Sequence, residues 1–202
     1  MLLAKIKEAL SSLYEDIQET EEVPEAAAEE VVDTAAAAAV EEPAAAEEEA
    51  ENPPAEEGTA EEEEPAEPPP PPGPRETDYK AKGYHLDVDL PPEKIPQAAE
   101  ILSQENFFIE SITGVDWIDE QQLEAVYDFN HFDELCRVVI RTRTDRDNPE
   151  IPTISHIYQG ANWHERETHD FFGIKFIGHP NLEPLLLPED ADFHPLLKDF
   201  KA

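Results

Sequence analysis

Charged and imidazole side chains crowd one short stretch of the chain, residues 162–170. Two histidines beside carboxylates are typical of a zinc hydrolase, in which they lie four residues apart on one helical face. Here His164 and His169 are five apart, which turns them roughly 140° from each other around a helix. The spacing therefore argues against a metal site in this stretch.

Acid–base catalysis is the second chemistry that these residue types could support, because paired carboxylates can transfer protons. The candidate carboxylates are Asp116, Glu165, Glu167 and Asp170. The sequence contains no phosphate-binding GxGxxG or Walker pattern, and no nucleophile accompanies the carboxylates. We predict no cofactor in this chain, and His179 and His194, each followed by proline, are predicted to pack or donate hydrogen bonds.

The same charges could instead serve structure or recognition. Arg166 and Asp170, like Glu165 and His169, are spaced i, i+4, but such pairs stabilise an exposed helix by only about 0.2–0.5 kcal/mol. The cluster is thus either a solvated helical face or a set of charges that pair across a contact, where an arginine fork and carboxylates fix register.

Charge is distributed unevenly along the 202 residues, whose net charge is −35. Residues 1–74 hold 23 acidic and two basic side chains, and no aromatic residue lies between Tyr14 and Tyr79. Such a Glu/Ala/Pro-rich segment buries too little apolar surface to order itself, so we predict a disordered acidic linker over 20–78. The charge also disfavours nucleic acid and anionic membranes as direct partners.

Other global features favour a reducing compartment. Cys136 is the only cysteine, so no intrachain disulfide can form, and we interpret it as a small buried residue. No apolar run approaches a membrane span of about 18 residues, and the first residues lack a secretory pattern. We expect a cytoplasmic protein that is at most peripheral to a membrane.

Residues 1–19 predict a short amphipathic helix. Its apolar residues recur every three or four positions, namely Leu3, Ile6, Leu10, Leu13 and Ile17. A helix this short is marginal in water, so it is either partly populated or a docking peptide for an unknown target.

Residues 79–202 predict one α+β domain, a two-layer fold with a mostly antiparallel sheet packed by helices. Expected strands cover 85–90, 107–118, 122–129 and 135–142, with a bend at Gly114, and expected helices cover 93–105 and 154–172. Short central connections favour antiparallel pairing. From about 174 the chain becomes an extended tail, apolar but interrupted by prolines, which must wrap its own domain or lie along a partner. We favour a partner for its distal half.

The stretch 161–190 also closely resembles a family signature, with the pattern A-N-W-x-E-R-E-x-x-D-x-F-G-I-x-F-x-G-H-P-x-L-x-x-L-L-x-P-E-D. It is similar to the 30 kDa subunit of respiratory complex I, the respiratory-chain NADH dehydrogenase, a module shared with membrane-bound hydrogenases. The resemblance extends over roughly 84–200 and includes Gly114, Val115 and Asp116.

This resemblance implies a non-catalytic, hydrophilic scaffold subunit on the cytoplasmic face of the membrane. Its implied partners are a large catalytic subunit and a small iron–sulfur subunit, which would carry iron–sulfur clusters with a flavin or a nickel–iron centre. The residues it implies to be structural or interface residues are Glu165, Arg166, Glu167, Asp170, Gly173, His179, Pro180, Pro188, Glu189, Asp190, His194, Pro195, Lys198 and Asp199.

The sequence departs from the respiratory pattern in several places. Glu183 and Pro184 replace a usual basic pair, His164 replaces an aromatic residue, and the chain stops soon after Phe200. These departures leave the equivalent subunit of an Ech-type energy-converting hydrogenase as an alternative. A free-standing acidic adaptor, whose first helix recruits a partner, is a further alternative.

Overall fold

The computed structural model describes residues 1–21 and 73–201. The elements, in chain order, are α1 (Leu2–Glu21), β1 (Arg75–Glu76), α2 (Tyr79–Lys82), β2 (Leu86–Asp89), a 3₁₀ turn (Pro92–Lys94), α3 (Ile95–Gln104), β3 (Phe107–Trp117), a second 3₁₀ turn (Ile118–Glu120), β4 (Gln122–His131), β5 (Arg137–Asp145), β6 (Glu150–Pro152), α4 (Ala161–Phe172) and β7 (Lys175–Ile177).

Five strands form the main sheet in the order β1-β2-β5-β4-β3. Strands β3, β4 and β5 are successive antiparallel neighbours, and β1 also pairs antiparallel with β2, whereas β2 runs parallel to β5. The parallel pair is possible because the long crossover through α3, β3 and β4 separates these two strands. The predicted α+β class with a mostly antiparallel sheet is confirmed. A separate two-stranded parallel sheet joins β6 to β7.

Alternation along the strands divides the sheet into two unlike faces. The core face is apolar and includes Leu86, Val88, Leu123, Ala125, Phe129, Val138 and Ile140, all nearly inaccessible. The opposite face carries ion pairs between strands, with Arg137 Nη2 2.6 Å from Asp128 Oδ2 and Arg141 Nε 3.1 Å from Asp87 Oδ1. The strand that begins at Arg137 thus has one basic face and one apolar face.

Two helices cover the sheet from different positions. In α3, Ile95, Ala98, Ala99 and Leu102 lie on one face and are buried. Helix α4 packs on β3, where the Thr168 hydroxyl donates to the carbonyl of Ile112 at 3.1 Å. The edge strand β3 therefore positions α4 and everything anchored to it.

The predicted bend at Gly114 is wrong. Residues Phe107–Trp117 form one strand, whose register shift lies between Ile109 and Ser111. Gly114 instead permits close packing, because a Cβ there would lie 2.3 Å from Cδ2 of Phe172. Only a residue without a side chain lets α4 approach the sheet this closely.

The helix predicted from 154 begins later, at Ala161. The N–H of Ile154 donates to the Glu165 carboxylate at 2.8 Å, and one turn follows before Gly160. Residues 154–158 therefore form a separate turn whose first N–H is bound by Glu165, and α4 starts only after Gly160. Most of the predicted linker, 20–78, lies outside the described residues. Its last part is ordered, since Arg75–Glu76 form β1 and Asp78 caps α2.

Candidate interaction surface

Helix α4 ends where the tail begins. Gly173 adopts a left-handed conformation, with φ of 78°, and its N–H donates to His169 O at 2.8 Å. A left-handed glycine ends a helix in this way at low steric cost. The tail later returns to this point, because the His194 ring would lie 2.8 Å from a Cβ at Gly173. His194 Nδ1 also lies 2.9 Å from the carbonyl oxygen of Asp170.

Asp170 holds the middle of the tail. Its Oδ2 accepts hydrogen bonds from three consecutive backbone N–H groups, those of Leu185 at 2.8 Å, Leu186 at 2.7 Å and Leu187 at 3.2 Å. Burial acts to raise the pKa of the carboxyl, but these donors outweigh it and hold the pKa of Asp170 below its usual value. An ionised carboxylate thus fixes a segment that has no secondary structure of its own.

Arg166 anchors the same segment from the next turn of the helix. Its Nε donates to Glu183 O at 2.8 Å and its Nη2 to Pro184 O at 2.9 Å. The guanidinium also lies 5.6 Å from the ring centroid of Trp163. Arg166 and Asp170, spaced i, i+4, each bind the tail backbone instead of each other. Of the two interpretations of this charged cluster, the structure supports charges that bind across a contact. The contact is between α4 and the tail of the same chain.

A third anchor holds the distal end of the tail. Arg146 donates to both oxygens of Asp116, at 2.9 and 3.1 Å, and its Nη2 lies 2.6 Å from Asp199 Oδ1. The backbone N–H of Lys198 donates to Asp116 at 2.8 Å. Burial raises the pKa of Asp116, but Arg146 and the Lys198 amide reverse this and leave the pKa lowered. This network of side-chain bonds therefore holds residues 198–199 beside the end of β5.

Glu165 occupies a different environment, with no exposed surface. It accepts from the Ile154 N–H and the Thr153 hydroxyl, and His179 Nε2 lies 3.8 Å from its Oε2. Desolvation raises the pKa of Glu165 to about 7, although its two hydrogen bonds act in the opposite direction. Burial also lowers the pKa of His179. Through these hydrogen bonds Glu165 fastens the segment after β6 to α4. Its full burial leaves it no access to a substrate.

The tail is held to the domain mainly through hydrogen bonds to its backbone, whereas several of its large apolar side chains are exposed to solvent. Leu186 is 59% exposed and Leu196 53% exposed, and the rings of Phe193 and Phe200 stack at 5.5 Å with both partly in solvent. Trp163 on α4 is also 59% exposed. We call Trp163, Leu186, Phe193, Leu196 and Phe200 the apolar display. Single exposed apolar residues are ordinary, but four of these five belong to the tail, which makes the tail the candidate interaction surface.

A cavity of about 350 Å³ opens beside this surface, between β3 and α4. Its lining combines Gly114, His164, Glu167, Phe171 and Leu196. Glu167 is the exposed carboxylate of the Glu165-Arg166-Glu167 cluster, since the other two side chains are engaged within the chain. A partner side chain with a positive charge would fit this mixture of apolar wall and exposed carboxylate.

The structure separates the predicted residues into two groups. Those bonded within the chain are Glu165, Arg166, Asp170, Gly173, His179, His194, Lys198 and Asp199. Those exposed are Glu167, Pro180, Pro188, Glu189 and Asp190, while Pro195 is partly covered. Sequence reasoning missed Arg146 and Thr153, since a lone arginine after a strand and a threonine in a turn carry no local signal. No cluster of three potential metal ligands occurs in residues 1–21 and 73–201. None of the described helices is long and apolar enough to cross a membrane.

Comparison with known proteins identifies similar chains. Residues 88–202 match the family model of the respiratory-chain NADH dehydrogenase, 30 Kd subunit. An NADH-quinone oxidoreductase subunit from Roseiflexus sp. (strain RS-1) is 42% identical over 119 residues, which are 56% of this chain and 68% of that protein. An F(420)H(2) dehydrogenase subunit from Methanosarcina mazei is 42% identical over 93 residues, 46% of this chain and 59% of that one. A chain in the solved membrane-bound sulfane sulfur reductase, an archaeal respiratory membrane complex, superposes with a TM-score of 0.53 at 33% identity, over 57% of this chain and 71% of that chain.

Proposed function

This chain belongs to the respiratory-chain NADH dehydrogenase 30 kDa subunit family, and from that premise we propose that it is a hydrophilic scaffold subunit of a membrane-associated, complex I-like oxidoreductase. Its role is to hold a large catalytic subunit and a small iron–sulfur subunit in register during electron transfer. The partners carry the iron–sulfur clusters and the other redox groups, and the assembly faces the cytoplasm.

One observation carries this proposal, namely the opposite orientation of backbone and side chains in the tail. The Asp170 carboxylate and the Arg166 guanidinium bind the backbone of residues 183–187, so the path of the segment is fixed before any partner arrives. Leu186 and Leu196 remain in solvent on that fixed path. A preorganised apolar surface loses little conformational freedom on binding, which favours stable association.

The exposed charges indicate the chemistry of the partner surface. Glu167 on α4 and Glu189 and Asp190 in the tail are exposed, and the last two lie between Leu186 and Phe193 in the sequence. An apolar centre with a charged rim is the usual anatomy of a protein interface. The partner surface should therefore be apolar in the middle and basic at its edge, which suits another protein and not an anionic membrane.

The partner subunits, and not this chain, determine which electron donor and acceptor the complex uses. Relatives carry the names NADH-quinone oxidoreductase and F(420)H(2) dehydrogenase, so one module serves complexes with different donors. We propose the quinone-linked respiratory complex as the parent. The acidic and proline residues Glu183 and Pro184 keep the Ech-type hydrogenase subunit as the second candidate, because they stand where respiratory members carry a basic pair.

Gentle affinity purification of the full chain from detergent-solubilised source membranes tests the proposal. Mass spectrometry should identify a large subunit without nickel-binding CxxC pairs, together with an iron–sulfur subunit. A large partner that does carry those cysteine pairs would instead establish the hydrogenase alternative. Recovery of the chain without any redox subunit would refute the scaffold role and support the free-standing adaptor.

A further inference from the structure

Helix α1 lies outside the family match, which begins at residue 88, yet it is packed into the domain. Ile6 and Leu10 have no exposed surface, and Leu13 is 5% exposed. The helix contacts α3, and α1 and the remaining described residues belong to one compact unit. The predicted docking peptide is thus seated on its own chain.

Polar contacts fix the register of α1 on this surface. Lys5 Nζ lies 2.6 and 2.7 Å from the two carboxylate oxygens of Glu105, just after α3. Lys7 Nζ lies 2.7 Å from Glu76 in β1. The Tyr14 hydroxyl donates to the backbone carbonyl of Asp89 at the end of β2. The contacts thus come from α3, β1 and β2.

The basic residues of α1 pair with acidic residues of the domain. Lys5 and Lys7 are the only basic residues before Arg75, and both face carboxylates of the domain. Glu8, on the exposed side of the helix, is not among these contacts with the domain. Apolar residues at positions 6, 10 and 13 supply the buried stripe, and the two lysines flank it. This pattern is that of an amphipathic helix lying in a complementary groove.

Covalent connection does not impose this position. Residues 22–74 separate α1 from β1, and 53 residues can span far more than the width of a domain at about 3.3–3.6 Å per residue. The position of α1 must therefore come from its contacts. A tether of this kind also supplies the helix at an effective concentration of order millimolar, which favours its own site over competitors.

We propose that α3, β1 and β2 form a receptor site for an amphipathic helix with lysines beside its apolar stripe and that its occupant is residues 2–14 of the same chain. The bound helix covers an apolar face that the family domain alone would leave open. This site is separate from the apolar display, so the chain closes one apolar surface with its own segment and leaves the other for its partners.

Hydrogen exchange and peptide binding on the full chain test this. In the wild-type protein, amides 6–14 should be protected, since most of the stability of a helix in a protein comes from the packing of its apolar face. Leu10→Asp should remove that protection, whereas Ala4→Asp, the same charge at an exposed position of α1, should retain it. A labelled peptide of residues 1–21 should bind the Leu10→Asp chain at least roughly a hundredfold more tightly than the wild-type chain, whose site is filled in cis.

A charge exchange provides a second test that does not disturb the core. Lys5→Glu should lower the protection of amides 6–14, and adding Glu105→Lys should restore it. Equal exchange in wild type and Leu10→Asp would overturn the docking, and equal peptide affinity for the two chains would overturn the receptor site. A wild-type protein that is dimeric in light scattering and becomes monomeric as Leu10→Asp would show that α1 docks on a second copy, which overturns the assignment in cis.

Discussion

The carboxylate of Asp170 lies 2.7 Å from the backbone nitrogen of Leu186, sixteen residues further along the chain. The same oxygen also accepts hydrogen bonds from the two neighbouring backbone amides. One side chain on α4 thus binds the backbone N–H groups of the tail, as the carbonyl groups of a neighbouring strand do in a sheet. The Leu186 side chain meanwhile remains in solvent. A polar residue of the family pattern thus determines where an apolar residue is presented.

Replacing Asp170 by Asn should destabilise the tail. The substitution keeps the shape but removes the charge that strengthens three hydrogen bonds, and we expect a loss of about 1–2 kcal/mol in the free energy of unfolding. Glu167→Gln removes the same charge from an exposed position of the same helix and should cost less than about 0.5 kcal/mol. Urea denaturation of both variants checks this. Equal losses would mean that Asp170 does not anchor the tail.

Glu165 should make stability depend on pH in the neutral range. Its pKa rises from 4.5 in the unfolded chain to about 7 in the folded one because of burial. Its contribution is therefore complete below about pH 4.5 and is lost as pH rises through 7, a change of about 3 kcal/mol. Asp116 and Asp170 have lowered pKa values, so their contributions are lost only at acid pH.

The Glu165→Gln variant isolates this effect from other titrating groups. The lowered pKa of His179 gives a contribution of opposite sign. Unfolding free energies measured from pH 5 to pH 8 should show the variant gaining about 2.5 kcal/mol relative to wild type, because part of the change already occurs below pH 5. The Glu167→Gln variant, measured alongside, shows what removal of an exposed carboxylate from the same helix does. A difference between Glu165→Gln and wild type that does not change with pH would show that the Glu165 carboxyl is ionised when folded.

Adding a methyl group at Gly114 should separate α4 from the sheet. The new Cβ would lie 2.3 Å from the Phe172 ring, and relieving that overlap should lower stability by about 2–3 kcal/mol. Gly160→Ala is the matched control, because its Cβ would meet only Ile109, at 3.6 Å, with φ of −62°. Thermal unfolding of the two variants decides between them, and an unchanged midpoint for Gly114→Ala would be incompatible with the close packing described.

The sequence predicts those features that depend on local patterns. Alternation along 85–90 and 122–129 predicts strands, and β2 and β4 lie within two residues of those limits. The apolar stripe of the first helix predicts the burial of Ile6 and Leu10, but its receptor is formed by segments more than 50 residues away. Local periodicity contains no information about such a surface.

The residues of the site can be predicted from the sequence, but their hydrogen-bond partners cannot. The family pattern identifies Glu165, Arg166 and Asp170, whereas their partners, apart from the Thr153 hydroxyl, are backbone groups 11 to 18 residues distant. Backbone N–H and C=O groups occur at almost every position, so no residue type marks the ones that are used. The pairing of Ile151 with Phe176 is equally unpredictable from the sequence, because a three-residue strand is too short to show an alternating pattern.

Co-purification of tail variants tests the central claim most directly. Leu186→Asp places a charge on a leucine of the apolar display that is 59% exposed, and Leu135→Asp places the same charge on a leucine in the β4–β5 connection that is 67% exposed. Each full-length variant would be purified from solubilised membranes and its redox subunits quantified by mass spectrometry. We predict that Leu186→Asp loses the large and iron–sulfur subunits at least tenfold while Leu135→Asp retains them. Full retention by Leu186→Asp, or equal loss by both variants, would contradict a scaffold role for the tail.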